Sequence, residues 1–281
     1  MKHRLSIITI NRNNAAGLQK TMESVFSQTC KDFEYIVIDG ASTDGSAEYI
    51  RAHADQLTYW VSEKDSGIYN AMNKGVRAAK GEYLLMLNSG DFLVDDRVIE
   101  RILPELDGTD IVQGNTIEGQ KRNRGYGKSD ITFLDVMGGN FLHQASFIKK
   151  SLHAQYGLYD ETYKKSSDTY FYWKVLGFGN ATFRYVDVDV ANFDTHGISF
   201  DPKWAAIDKQ EDARWYKENF PIRLQKLYKE APKRFQLYDS LHRYKWIWYL
   251  TMGLAKISNM ATSQRSNPPE KSDNLAKAKK K

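Results

Sequence analysis

Four short apolar runs within about the first ninety residues constrain the fold of this chain more than any other feature. Each is stopped by a polar turn, and helically spaced apolar stripes separate them. Arg4 to Ile10 is rich in β-branched residues and ends at Asn11-Arg-Asn-Asn14, a turn able to cap a helix. Leu18, Met22, Val25 and Phe26 then recur at helical spacing. Phe33 to Ile38 is a second strand, closed by Asp39-Gly-Ala-Ser-Thr-Asp-Gly45, and a helix over about Ser46 to Ala54 follows. Leu57 to Ser62 is a third strand, Asp65-Ser-Gly67 a turn, and Ile68, Met72, Val76 and Ala79 the buried stripe of the next helix. The fourth run, Glu82-Tyr-Leu-Leu-Met-Leu, stops abruptly at Asn88-Ser-Gly-Asp91.

Strands alternating with helices predict an α/β fold with a mostly parallel sheet flanked by helices, and such sheets bind ligands beyond the carboxyl ends of their strands. Thr9, Asn11, Asp39 and the stretch Asn88 to Asp91 all fall at those ends, so they should converge on one cleft. A carboxylate at such an end, as at Asp91, is placed to hold a cation against a phosphate; the competing reading is an ordinary polar turn.

A helix from about Asp96 to Leu106 and a strand from Asp110 to Asn115 complete a first half, residues 1–115. In a second half, residues 116–200, Thr116 to Gly127 reads as a hairpin or mobile loop and Phe141 to Lys149 as a strand. A helix over Ser167 to Gly177 should turn Tyr170, Phe171, Trp173, Val175 and Leu176 inward, before a strand near Thr182 to Val190. The domain so defined spans residues 1–200. Beyond Pro202 the pattern is helical, with Trp204, Ile207 and Trp215 on one face. An extension over 201–262 includes an aromatic helix from about Lys233 to Met260, and residues 263–281 have the composition of a disordered basic tail.

The chain has 281 residues, 41% of them hydrophobic, enough for a sizeable core and one or two domains. Its single cysteine, Cys30, cannot form an internal disulfide, and polar Met1-Lys-His-Arg4 is no apolar signal segment; a cytoplasmic setting is expected. The longest apolar candidate for a membrane span, Trp246 to Ala255, has ten residues against the roughly 20 required. The net charge of +5 divides into an acidic body and a basic end: residues 221–281 carry 14 Lys/Arg and 4 Asp/Glu, residues 1–220 carry 26 and 31. This disfavours specific nucleic-acid binding and favours an arm that meets an anionic surface. Arg243-Tyr-Lys-Trp-Ile-Trp-Tyr-Leu250 interleaves rings with basic residues, which suits a peripheral contact at the inner face of the plasma membrane or, equally, packing on the body.

Four motifs stand in order in the first half: Ser6-Ile-Ile-Thr-Ile-Asn11, Ile36-Val-Ile-Asp-Gly-Ala-Ser-Thr-Asp-Gly-Ser46, Ser62-Glu-Lys-Asp-Ser-Gly-Ile-Tyr-Asn-Ala-Met-Asn-Lys-Gly75 and Ala79-Lys-Gly-Glu-Tyr-Leu-Leu-Met-Leu-Asn-Ser-Gly-Asp91. On these the chain resembles the GT-A-fold family 2 glycosyltransferases, particularly the bacterial capsule and exopolysaccharide enzymes of colanic-acid type. The resemblance implies a Rossmann-like GT-A domain with a nucleotide-sugar donor. Asp39 would accept a hydrogen bond from a uracil imide, against the alternative of a turn-forming Asp. Thr9 and Asn11 would line the base and ribose pocket, or merely end a strand and cap a helix. Asp65 would contact the nucleotide, and Asn73 would bond backbone or ligand. Lys74 and Arg77 read better as a solvated helix face than as partners of the diphosphate.

The family's metal motif is Asp-x-Asp or a close variant, from which Asn88-Ser-Gly-Asp91 departs. Asp91 is the anchoring ligand for Mg2+ or Mn2+, while Asn88, with Ser89 beside it, suits the donor's ribose or sugar; losing one acid should make cation affinity depend on the diphosphate. Asp168, in Lys164-Lys-Ser-Ser-Asp-Thr-Tyr170, matches the family's catalytic base, with a dipole-stabilising helix start as the plainer reading. His143 and Gln144 resemble the family's segment beside acceptor and donor sugar, although a lone His is more often structural. His196, in Asp194-Thr-His-Gly-Ile-Ser199, replaces a glycine and is a weaker metal candidate.

The reading is an inverting, metal-dependent transferase. It moves a sugar from a nucleotide diphosphate, a UDP-sugar by preference, to a saccharide acceptor, expected to be lipid-linked. The rivals are a sugar nucleotidyltransferase, which usually has a glycine-rich basic loop where this chain has Asn11-Arg-Asn-Asn14, and a membrane- or nucleic-acid-bound scaffold with a decayed site.

Overall fold

The computed structural model describes residues 3–195, 197, 201–220, 222 and 225. β1 (Leu5–Asn11), β2 (Phe33–Asp39), β3 (Tyr59–Ser62) and β4 (Tyr83–Met86) are parallel neighbours in the order β3-β2-β1-β4. Between them run α1 (Ala15–Phe26), α2 (Ser46–Ala52) and α3 (Ile68–Ala78). The apolar runs form strands here because both faces are covered: every residue of β1 and β4 is buried. Leu18, Met22 and Val25 of α1 pack on this core, as the helical spacing predicts. The α/β architecture is thus as expected.

The far side of the sheet reverses direction. After β5 (Phe92–Leu93) and α4 (Val98–Ile102) come β6 (Ile111–Glu118), β7 (Lys121–Asn123), α5 (Phe133–Met137), β8 (Ser146–Lys149), α6 (Lys150–Tyr156), α7 (Ser167–Tyr172) and β9 (Phe183–Asn192). β8 lies antiparallel between β4 and β6, and β9 runs parallel to β6. The expected hairpin after β6 forms, with β7 antiparallel to it. The strand expected from Phe141 begins only at Ser146, because His143–Ala145 turns as a 3-10 helix, and His143 meets Asn88 and Asp168 there. The helix expected over Ser167 to Gly177 is α7 continued by a π-helical turn at Trp173–Phe178, with Leu176 only half buried. α5, α6 and β5 are too short for their periodicity to show in the sequence.

α8 (Ala205–Asn219) follows a turn at Pro202–Trp204. Residues Met1–Trp215 form one compact unit and Tyr216–Lys281 a second. Trp215 is buried, but so is Glu211, which the apolar face of Trp204, Ile207 and Trp215 did not anticipate. The helix expected over Lys233 to Met260, the basic aromatic arm and the tail from residue 263 lie outside the described residues. Among the described residues, no helix is long and apolar enough to cross a membrane.

α3 presses closely on β1 at Gly75, where an added Cβ would stand 2.4 Å from Ile8 Cγ2. Gly75→Ala should therefore destabilise the protein by about 1–3 kcal/mol through overpacking, read as a lowered denaturation midpoint with unchanged slope.

Candidate active site

The carboxyl ends of the parallel strands open onto a cleft of about 740 Å³. Strand register brings its floor together: Asn11 pairs with Asp39, and Asp39 with Ser62, on three adjacent strands. Asp39 is fully buried. Its Oδ1 accepts from Asn11 Nδ2 at 2.8 Å and Ser42 Oγ at 2.5 Å, and its Oδ2 from Ser62 Oγ at 2.6 Å and Ser42 N at 3.0 Å. Burial pushes this carboxyl up, but the hydrogen bonds from Ser42, Ser62 and Asn11 outweigh it and hold the group below its ordinary value. Asp39 is therefore an anion under the cleft floor.

Asn11 does line the cleft, and its Oδ1 is buried without a hydrogen-bond partner. Asp65 lines it too, bound to Lys74 Nζ at 2.6 Å. Lys74 also meets Glu63 at 2.8 Å, so the solvated face expected for it is instead an ion-paired cation tethering the Asp65 turn; Arg77 is exposed as expected. Thr9 is fully buried and donates to Leu87 O at 2.8 Å. Asn73 bonds the backbone of Tyr159 in both directions, Nδ2 donating at 2.8 Å and Oδ1 accepting at 3.0 Å. Gln144 is likewise buried. Thr9, Asp39, Asn73 and Gln144 support the walls without lining the cleft.

The turn after β4 forms the next wall. Thr21 Oγ1 of α1 accepts from Gly90 N at 3.0 Å and bonds Asp91 O at 2.6 Å, fixing the turn against the sheet. Gly90 has φ +107°, and an added Cβ would stand 2.6 Å from Asp194 Oδ2, so only glycine fits between Asp91 and that carboxylate. Asp91 Oδ1 accepts from Asp194 N at 2.9 Å. Burial, with the negative charge of Asp194 adding to it and His143 opposing it, pushes the Asp91 carboxyl up to about 6. Among the described residues, no group of three or more His, Cys, Asp or Glu could hold a metal ion. The donors present are hard oxygens: Asp91, Asp194 beside it, and Asn88 Oδ1, which is buried without a partner. They suit a divalent cation whose shell is completed by phosphate oxygens. His196 lies outside the described residues.

Facing this turn, the bend before β8 and the start of α7 bring His143 Nδ1 within 3.3 Å of Asp168 Oδ2. His143 Nε2 lies 3.3 Å from Asn88 Nδ2, and the Tyr69 hydroxyl bonds Asp168 Oδ1 at 3.0 Å and also the Lys165 carbonyl. Burial alone would raise the Asp168 carboxyl, yet His143 and Tyr69 hold it below its ordinary value. For His143, burial lowers and Asp168 raises, and the result is a rise. Each group of the pair thus favours the charged form of the other. Asn88, Ser89, Asp91, His143 and Asp168 thus share one cleft. Arg12, Tyr69, Lys164, Lys165, Asp194 and Trp204 also line it and were not foreseen. Tyr69 stood inside a quoted motif, and Lys164 and Lys165 flank Asp168, which was the available signal.

The sheet-end cleft thus gathers Asn11, Asp65, Asp91, His143 and Asp168. The model described as glycosyl transferase family 2 matches residues 6–243, and the chain belongs to that family. It is 32% identical over 198 residues to a "PGL/p-HBAD biosynthesis glycosyltransferase" of Mycobacterium bovis, covering 68% of this chain and 77% of that one. It is 34% identical over 202 residues to an uncharacterized glycosyltransferase of Mycobacterium tuberculosis, covering 69% and 76%. Among solved structures, residues 1–349 of S. aureus TarS in complex with UDP-GlcNAc share the fold with a TM-score of 0.59 at 17% identity, over 68% of this chain and 58% of that one. The mannosyltransferase PcManGT of Pyrobaculum calidifontis, in complex with GDP-Man and Mn2+, does so at 0.59 and 17%, over 78% and 64%.

Proposed function

We propose that this glycosyltransferase moves a sugar from a uridine diphosphate donor to a saccharide hydroxyl with inversion, using a divalent cation. The observation that carries the reading is that Asn11, Asp65, Asp91 and Asp168 line one cleft, with His143 reaching from Asn88 to Asp168. Asn11 and Asp65 bind the nucleoside, with Asp39 holding Asn11 from below and Asn73 bracing the wall. Asn88 and Ser89 face the donor's ribose or sugar. Asp91, with Asp194, holds the cation, and His196 is a further candidate ligand. When bound, the cation neutralises charge that develops on the leaving diphosphate. Arg12 and Lys164 add positive charge at the rim. Asp168 accepts the acceptor hydroxyl's proton as that oxygen bonds to the anomeric carbon; the bond from this carbon to the diphosphate oxygen breaks, and the diphosphate leaves with the electron pair. His143 holds Asp168 ionised and oriented, and Gln144 buttresses the His143 turn.

The acceptor we infer is lipid-linked, in capsular or other surface-glycan assembly, with the basic C-terminal arm at the inner membrane face. Its charge, 14 Lys/Arg against 4 Asp/Glu over residues 221–281, supports this. A panel of nucleotide sugars, with and without Mn2+, tests the donor assignment by thermal shift. A UDP-sugar should raise the melting temperature only with the cation present; a protein that no nucleotide sugar stabilises is not a transferase of this kind.

A further inference from the structure

Of the four carboxylates of α8, Asp208, Glu211 and Asp212 lie on adjacent turns of one face. Like charges at this spacing repel and destabilise an isolated helix. Each is instead spent on the segment that leads into and forms α7. Glu211, only 8% exposed, accepts from three consecutive backbone amides: Lys164 N at 2.5 Å, Lys165 N at 3.1 Å and Ser166 N at 3.3 Å. Asp208 accepts from Ser166 Oγ at 2.6 Å and Lys165 Nζ at 2.9 Å, and Asp212 from the Tyr170 hydroxyl at 2.9 Å. Trp215, one turn further on, stacks on Tyr170 at 5.5 Å and meets Trp173 edge-on at 5.0 Å.

This segment has two sides. Lys164, Lys165 and Asp168 line the cleft, while the amides of residues 164–166 turn toward α8. Ser166, the residue before α7, makes no side-chain cap, so the entry to that helix has no local device to fix it. Glu211 supplies one from outside: a buried carboxylate held by three N–H groups is strongly restrained in position. Tyr69 of α3 grips the same segment from the other side through the Lys165 carbonyl.

We propose that Glu211 is a positioning residue of the transfer reaction: acting through the backbone of residues 164–166, it sets where Asp168 stands relative to the donor, although it touches no substrate. The proposal rests on the assignment of Asp168 as base. A displacement of about 1 Å at a reacting group costs on the order of 100-fold in rate, so the effect should fall on kcat.

The test uses full-length Glu211→Ala and Glu211→Gln, the latter keeping shape and one acceptor oxygen. Donor KM, kcat and amide hydrogen exchange are measured for each. The expected result is a kcat lowered by about 10- to 100-fold in the alanine variant, partly rescued in the glutamine variant, with donor KM unchanged. Exchange should accelerate in residues 164–170 and stay slow in β1, β2 and β4. Unchanged kcat in both variants, or a fall in kcat matched by lost protection of the central strands, overturns the proposal. If the wild-type protein turns over no nucleotide sugar, the functional reading fails and takes this proposal with it; an active wild type with an equally active alanine variant refutes the positioning role alone.

Discussion

Asp168→Asn lowers kcat by about 10²- to 10⁴-fold and leaves donor affinity within about twofold. The asymmetry follows from what the carboxylate does. As the proposed base it takes a proton that moves only in the transition state, and its partners are His143 and Tyr69 rather than Asn11 and Asp39, to which the nucleotide is assigned. An amide keeps the shape and the bond from Tyr69 but cannot accept the proton. Steady-state kinetics with isothermal titration of the donor separates the two quantities. A comparable loss of donor affinity would place Asp168 in the nucleotide site instead. The pair with His143 also gives a stability signature. The Asp168 carboxyl is lowered from 3.8, so its contribution is full above that value and lost as pH falls through its folded value; His143 is raised from 6.5, so its contribution is full below that value and lost as pH rises through its folded value. The pair therefore stabilises most between 3.8 and 6.5, and the asparagine variant should lack that maximum.

Asp91→Asn abolishes cation-dependent donor binding yet makes the cation-free protein more stable at neutral pH. Burial raises this carboxyl from 3.8 to about 6, so between those values the native state binds a proton that the unfolded chain has released. Stability thus falls as pH rises from 3.8 through about 6, by on the order of 3 kcal/mol, and the full cost persists above. Asparagine avoids it. In chelator, denaturant unfolding at pH 7.5 (an ordinary assay condition, roughly 1.5 units above that value) should favour the variant, and the advantage should vanish near pH 4 or about there. With Mn2+ and donor the order reverses, since only the wild type gains binding energy, and donor affinity in the variant drops at least about 100-fold. A variant that is less stable in chelator, or that keeps Mn2+-dependent donor binding, would remove Asp91 from the cation site.

Most of the first half, residues 1–115, was legible in the sequence for one physical reason. In a doubly covered parallel sheet, apolar runs end where the ligand cleft begins, so Asn11, Asn88 and Asp91 could be placed from strand ends alone, whereas Asp65 was reached only through the family resemblance. Lining was harder to read than convergence. Asp39 and Thr9 stand at the same strand ends but are consumed by internal bonds, and nothing in their spacing separates floor from wall. His143 required a bend that its apolar neighbours concealed: Phe141, Leu142 and Phe147 read as one strand, whereas the chain turns at His143–Ala145. Glu211 was the least legible. On a helix, Asp208, Glu211 and Asp212 have the pattern of a solvated face, because the groups they satisfy lie some 40 residues earlier in the chain, between Lys164 and Tyr170.

The proposed role of Asp168 as a base that forms no bond to the sugar commits the reaction to one displacement, and the anomeric configuration of the product tests that proposal most directly. Proton NMR of the sugar in the first product formed from a UDP-α-sugar, transferred to an acceptor alcohol or to water, should show the β-anomer. An α-linked first product would contradict the mechanism, because retention requires either a second displacement or a departure of the diphosphate from the face that the acceptor then attacks.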